Sequence, residues 1–273
     1  MTGDRFRHEA LGVVFQVRED RLCVLLWQRA ATPFAGAWAL PGGLLLPEER
    51  LGTSASRHLA AKVDIAEIAH LEQLETRSDP HRDPRERVLA TAYLALVTVG
   101  AQPRLPADTA WHPVDFLPAC AFDHESIIGS ARERLRAKLS YTNIGFALAP
   151  AVFTIAQLRD VYAAALGYRV SATNLQRILT RRAVIEPTSA LSRPSATGGR
   201  PAVLYQFASR TLVVTNPFAA FRPSGHVREL AGHRRACAQG GPAHGRRAAL
   251  GGRRAGARAH RHHADVTGLP ASP

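Results

Sequence analysis

The sequence predicts an α+β protein of two domains, residues 1–140 and 141–225, followed by a disordered basic tail over 226–273. Three observations carry that reading. Up to about residue 140, apolar runs of strand length alternate with stretches of helical periodicity, the pattern of a sheet covered by helices. After residue 141 the order becomes helix, turn, basic helix, short strand, loop and strand. From His226 onward nine arginines stand against Glu229 and Asp265, lysine is absent and no apolar period survives, a composition that does not assemble a core.

The chain has 273 residues, 46% of them hydrophobic, and a formal charge of +13. That is enough apolar material for two cores, and the charge points to a polyanionic partner, nucleic acid first. Cys23, Cys120 and Cys237 are scattered, which excludes a disulfide framework and a cysteine zinc site. No apolar run approaches the roughly 20 residues that span a bilayer, and the N-terminus lacks a secretory apolar core. A cytoplasmic protein without a membrane partner is expected.

Taken in order, residues 10–17 and 22–28 read as two strands around a turn at Glu19-Asp20. Pro41-Gly42-Gly43 reads as a turn, because glycine reaches backbone angles that other residues avoid. Pro47 suits a first helical position, with Glu48 and Glu49 at the positive end of the helix dipole. Leu51, Ala55, Leu59 and Val63 then share one helical face, and a strand starts near Ile65. Residues 71–76 suit another strand, 77–87 (RSDPHRDPRER) a charged surface loop, and 88–99 a buried strand. The loop holds Arg77, Arg82, Arg85 and Arg87, whose guanidinium forks match phosphate groups. Residues 126–139 form a helix with Ile127, Ile128, Ala131 and Leu135 on one face. Asp123 and Glu125 in front of it suit capping better than joining His124 as metal ligands.

The stretch PGGLLLPEERLGTSASRHLAAKVDI, residues 41–65, resembles the Nudix box, G-x5-E-x7-R-E-U-x-E-E-x-G-U. Gly43, Glu49 and Arg57 fall on its first fixed positions, and Leu59 and Ile65 on its aliphatic ones. The late acids do not match: His58, Ala61 and Lys62 stand in their places, and Asp64 replaces the last glycine. The resemblance implies an α/β/α sandwich with a mixed sheet. In Nudix hydrolases this helix holds divalent metal on carboxylates, and Mg²⁺ wants oxygen ligands. Histidine, alanine and lysine do not supply them, so no catalytic residue, no metal and no cofactor is expected. The lead-in, an apolar strand ending in Gln28-Arg29 and then W-x-L-P-G-G, also resembles Nudix proteins. D-P-R-x-R-V at 83–88 is similar to domains acting on ADP-ribose-like compounds.

In the second half, Thr154-x-x-Gln157 forms a capping box behind Phe153, and Gly167 closes that helix. Ser171 caps a second helix, whose Leu175, Ile178 and Leu179 turn inward and leave Asn174, Gln176, Arg177, Arg181 and Arg182 outside. That order suits a winged helix-turn-helix, with Thr173, Asn174 and Arg177 placed for base edges in the major groove. Arg181, Arg182, Arg193 and Arg200 suit phosphates or the minor groove.

Together the halves, over roughly residues 10–215, resemble the Nudix-related transcriptional regulators of NAD metabolism, the NrtR family. F-D-H at 122–124, Y-T-N-I at 141–144 and G-R-P-A-x-L-Y-x-F at 199–207 add to the match. The resemblance implies a homodimeric repressor on a double-stranded DNA operator, released by ADP-ribose or a related nucleotide. Effector contacts are then expected at Arg29, Gly42, Gly43, Arg57, Lys62, Arg77 and Arg85. The alternative is an active hydrolase of ADP-ribose-type compounds, which would need acids outside the box; Glu72, Glu75 and Glu125 are the spares.

Overall fold

The computed structural model describes residues 6–63, 65, 67–192 and 201–216. The expected tail, Asp64, Arg193 and Arg200 lie outside the described residues.

The first part is a seven-stranded mixed sheet. β1 (Arg7–Arg18) and β2 (Arg21–Gln28) form a hairpin whose turn residues, Glu19 and Asp20, have φ of 47° and 58°, the paired positive values of a primed two-residue turn. β3 (Trp38–Ala39) and β7 (Thr109–Pro113) pair with β2, and β4 (Gly42–Leu44) pairs with β1. β6 (Val88–Leu96) runs parallel to β1, with Arg7 opposite Val88, and carries β5 (His70–Arg77) on its far edge.

Side-chain alternation along β1 decides the layers. Leu11, Val13, Phe15 and Val17 join Val24, Leu26 and Leu94 beneath helix α2 (His124–Tyr141), through Ile127, Ile128, Ala131 and Leu135. On the other face Val14, Leu25 and Ala95 meet Leu59 and Val63 of helix α1 (Leu51–Val63). The sheet is thus covered on both faces, as expected for an α/β/α sandwich.

Four local expectations are corrected. Gly42 and Gly43 are not a turn; they lie in β4, and neither is among the positive-φ glycines. They are needed for close approach instead, since a Cβ on Gly42 would lie 2.4 Å from the Ala10 carbonyl oxygen and one on Gly43 2.5 Å from the His58 ring. Helix α1 starts at Leu51, not Pro47, because Glu49 folds back: its N–H bonds the Leu46 carbonyl at 3.1 Å and its carboxylate takes the Leu46 N–H and Arg57. The following strand begins at His70 rather than near Ile65. Asp123 precedes α2 but makes no side-chain cap, because the Arg82 guanidinium holds its carboxylate at 2.8 Å.

A 3-10 turn, Ile144–Ala147, leads to the second part. Helix α3 (Ile155–Leu166) begins with the Thr154/Gln157 capping box and ends at Gly167, φ 77°. Helix α4 (Ala172–Arg181) is capped by Ser171. The hairpin of β8 (Ile185–Leu191) and β9 (Val203–Phe207) follows, and Phe153 joins it through two backbone bonds to Tyr205, at 2.9 and 2.7 Å. Leu158, Val161 and Ala165 of α3 belong to the same apolar core as α2 and the sheet. Buried Asn143 ties down the chain after β9: its amide donates to Ser209 O and Thr211 O, and its oxygen accepts from Val213 N–H.

Candidate ligand pocket and nucleic-acid interface

A pocket of about 250 Å³ opens where the ends of β1, β2 and β4 meet α1, α2 and the 77–87 loop. Its walls bring together five of the seven expected effector contacts: Arg29, Gly42, Gly43, Lys62 and Arg85. Lys62 stands over the Trp27 ring, its ammonium 4.6 Å from the centroid, a cation–π contact. Loss of solvent lowers its pKa, while Glu9 works to raise it. Arg29 lies 4.8 Å over Phe122 and donates to the Pro33 carbonyl. Arg85 is set by buried Asp83, which accepts from its backbone N–H and grips its guanidinium at 2.6 Å. That grip holds the Asp83 carboxyl below its usual value. Arg29, Lys62 and Arg85 thus face one cavity, with Arg7 on the same wall paired to Glu86 at 2.8 Å, a charge pattern that suits a diphosphate.

Arg57 and Arg77 are placed outside that cavity. Arg57 is spent on Glu49, at 2.7 Å from each carboxylate oxygen, and holds the Glu49 carboxyl down to about 2. Arg77 is shared by Glu75, Ser126 and Ser130, which clasp β5 to α2. Neither lines the pocket.

Glu9 and Trp27, which no motif marks, also line the pocket, as does His124, which the F-D-H motif marks without assigning it a ligand role. The one available signal was a lone acid, Glu9, leading into an otherwise apolar strand. Glu9 carries the nearest cation, Arg82, at 3.8 Å; burial raises its pKa against the pull of Arg82, Arg85 and Lys62.

The divalent metal implied by the Nudix resemblance does not suit these residues. Glu49 is already neutralised by Arg57. His58 is buried against Gly43 with Nε2 donating to the Leu44 carbonyl at 3.1 Å, and burial lowers its pKa. Lys62 adds positive charge where an oxygen ligand is required. Among the described residues no group of three His, Cys, Asp or Glu side chains could hold a metal ion.

The second surface is the outer face of α4. Thr173, Asn174, Arg177 and Arg181 are exposed there, while Leu175 and Leu179 are buried. Arg177 donates to the Asn174 side-chain oxygen at 2.8 Å, so the two present one hydrogen-bonding edge. Arg182 is the C-cap of α4, and its guanidinium donates to the Ser140 carbonyl at 2.9 Å. Gln176 anchors the helix to the hairpin through the Tyr205 hydroxyl at 2.8 Å.

Comparison with known proteins matches both halves. A family model described as NUDIX domain covers residues 6–129, and one described as NrtR DNA-binding winged helix domain covers 145–207. The ADPR responsive transcriptional repressor NtrR of Acinetobacter baylyi is 32% identical over 202 residues, 71% of this chain and 79% of that protein. The crystal structure of Shewanella oneidensis NrtR complexed with a 27mer DNA aligns with 32% identity and a TM-score of 0.62, over 73% of this chain and 92% of that one. An ADP-ribose pyrophosphatase of Methanocaldococcus jannaschii is 31% identical over 127 residues, 45% of this chain and 73% of that protein.

Proposed function

The chain belongs to the NrtR family, and from that premise we propose that it is a DNA-binding transcriptional repressor whose NUDIX domain senses ADP-ribose or a related nucleotide. The observation that carries this is one chain holding both a pocket with Arg29, Lys62 and Arg85 on its walls and an exposed basic helix bearing Asn174 and Arg177. It works as a cytoplasmic homodimer on genes of NAD metabolism. Residues 1–140 sense, 141–225 bind DNA through Thr173, Asn174, Arg177, Arg181 and Arg200, and two copies of α4 meet successive half-sites of the operator. The effector releases DNA because it binds one arrangement of the domains better than the other.

The pocket binds without cutting. Lys62, Arg29 and Arg85 supply the positive charge that hydrolases draw from metal, so ADP-ribose binding needs no Mg²⁺. A gel shift on the gene's own upstream DNA is expected to show a retarded band that ADP-ribose abolishes, also in EDTA. A band indifferent to nucleotides overturns the sensor reading.

The pyrophosphatase relative supports a second reading, an active hydrolase. Two of the three spare acids weigh against it: Glu72 is held by His70 and Lys138, and Glu75 by Arg77, while Glu125 is exposed on the first turn of α2. Turnover of ADP-ribose with Mg²⁺ at about 1 s⁻¹, ordinary for an enzyme, would favour that reading.

A further inference from the structure

His124, the first residue of α2, is only 3% exposed, yet it lines the pocket. Its Nδ1 accepts the Leu40 backbone N–H at 3.0 Å. The ring hydrogen therefore sits on Nε2. Burial holds the pKa at about 3, so the ring stays neutral through the physiological range. The Leu40 N–H to Nδ1 bond is the one side-chain hydrogen bond of His124 among the described residues. Nε2 is not among the fully buried unpaired side-chain atoms, so it keeps a small opening, and the cavity that His124 lines is there to receive it.

Glu9, on β1, lines the same cavity and has no hydrogen bond to a protein donor among the described residues, Arg82 standing off at 3.8 Å. Charged oxygens in this pocket are matched by Lys62, Arg29 and Arg85. A carboxylate is a poor neighbour for phosphate but a good acceptor for a hydroxyl. A neutral N–H donor then completes what a hydroxyl needs, one group to give to and one to receive from.

We propose that His124 Nε2–H and the Glu9 carboxylate form a sugar-hydroxyl recognition pair, which selects a ribose-bearing diphosphate over a bare one. The pair rests on the proposed function and names what that site discriminates. Polar groups built for a hydroxyl reject ligands that lack it far more strongly than apolar walls do.

Two substitutions in the full chain separate recognition from packing. His124→Asn keeps an acceptor for the Leu40 N–H but withdraws the donor; His124→Gln keeps a donor near the Nε2 position but strands the Leu40 N–H. Thermal melts are expected to give H124N a midpoint near the parent, and calorimetric titration an ADP-ribose affinity about tenfold weaker. Competition by inorganic diphosphate, which meets only the cations, stays unchanged. H124Q is expected to melt lower and to keep ADP-ribose affinity within about threefold of the parent. An H124N chain of parental stability and unchanged affinity overturns the pair. So does an equal loss for ADP-ribose and diphosphate, or an H124Q chain that loses as much affinity as H124N. A parent chain that does not bind ADP-ribose at all counts against the proposed function instead.

Discussion

His8, His58, His112 and His124 share one electrostatic fate: burial holds each below the usual imidazole value. The unfolded chain takes up those protons near pH 6.5, and stability falls wherever the unfolded state binds more of them. Stability should therefore be full above about pH 6.5 and decline towards pH 5, with fully buried His124 alone approaching about 1.4 kcal/mol per pH unit. Glu9, raised by burial, acts in the opposite direction. Glu49, Asp83 and Asp123, all lowered, add losses only at more acidic pH. Thermal melts from pH 7 to pH 5 check this, and a flat profile would contradict the buried neutral rings. At this scale the sequence revealed residue types better than partners. Arg29, Lys62 and Arg85 were legible because local motifs place them. Arg57 and Arg77 were not, because their carboxylates come within reach only when the 46–49 turn closes and β5 forms. His124 was visible but undecided until Leu40 was seen to occupy its Nδ1.

Elements were the most legible level, wherever a cap announced them. Thr154, Gln157, Gly167 and Ser171 mark the ends of α3 and α4 with the side-chain chemistry the structure contains. The start of α1 was misplaced because proline and glutamates can open a helix or a turn, and the Glu49–Arg57 contact chose the turn. On α4, Arg177 and Asn174 form one exposed edge. Arg177→Ala should weaken specific operator binding by about 1–3 kcal/mol while leaving nonspecific DNA affinity nearly intact, as titration against operator and scrambled DNA would tell. Asn143 acts where no helix or strand does, as the clamp for residues 209–213. Asn143→Ala strands two carbonyls and one N–H, and should cost about 3 kcal/mol, seen as a lower denaturant midpoint.

Across the whole molecule, sequence patterns separate two domains, whereas the apolar core runs without a break from Leu11 in the sheet, through Leu135 and Leu139 of α2, to Leu158 and Phe207. Periodicity reports which face of an element is apolar, not which neighbour covers it, so this continuity was not legible. It predicts joint melting. All three tryptophans, Trp27, Trp38 and Trp111, report on the sheet, while far-ultraviolet dichroism also weighs α3 and α4. The two melting curves should coincide, and separate midpoints would show the halves to be independent. The parallel pairing of β1 with β6 also sets a timetable. During synthesis β1 finds its central neighbour only after Val88 has been made, and pairings that distant in sequence form slowly. Until then one edge of a strongly apolar strand stays bare, so the nascent chain depends on chaperones during that interval more than an equally stable hairpin-first protein would.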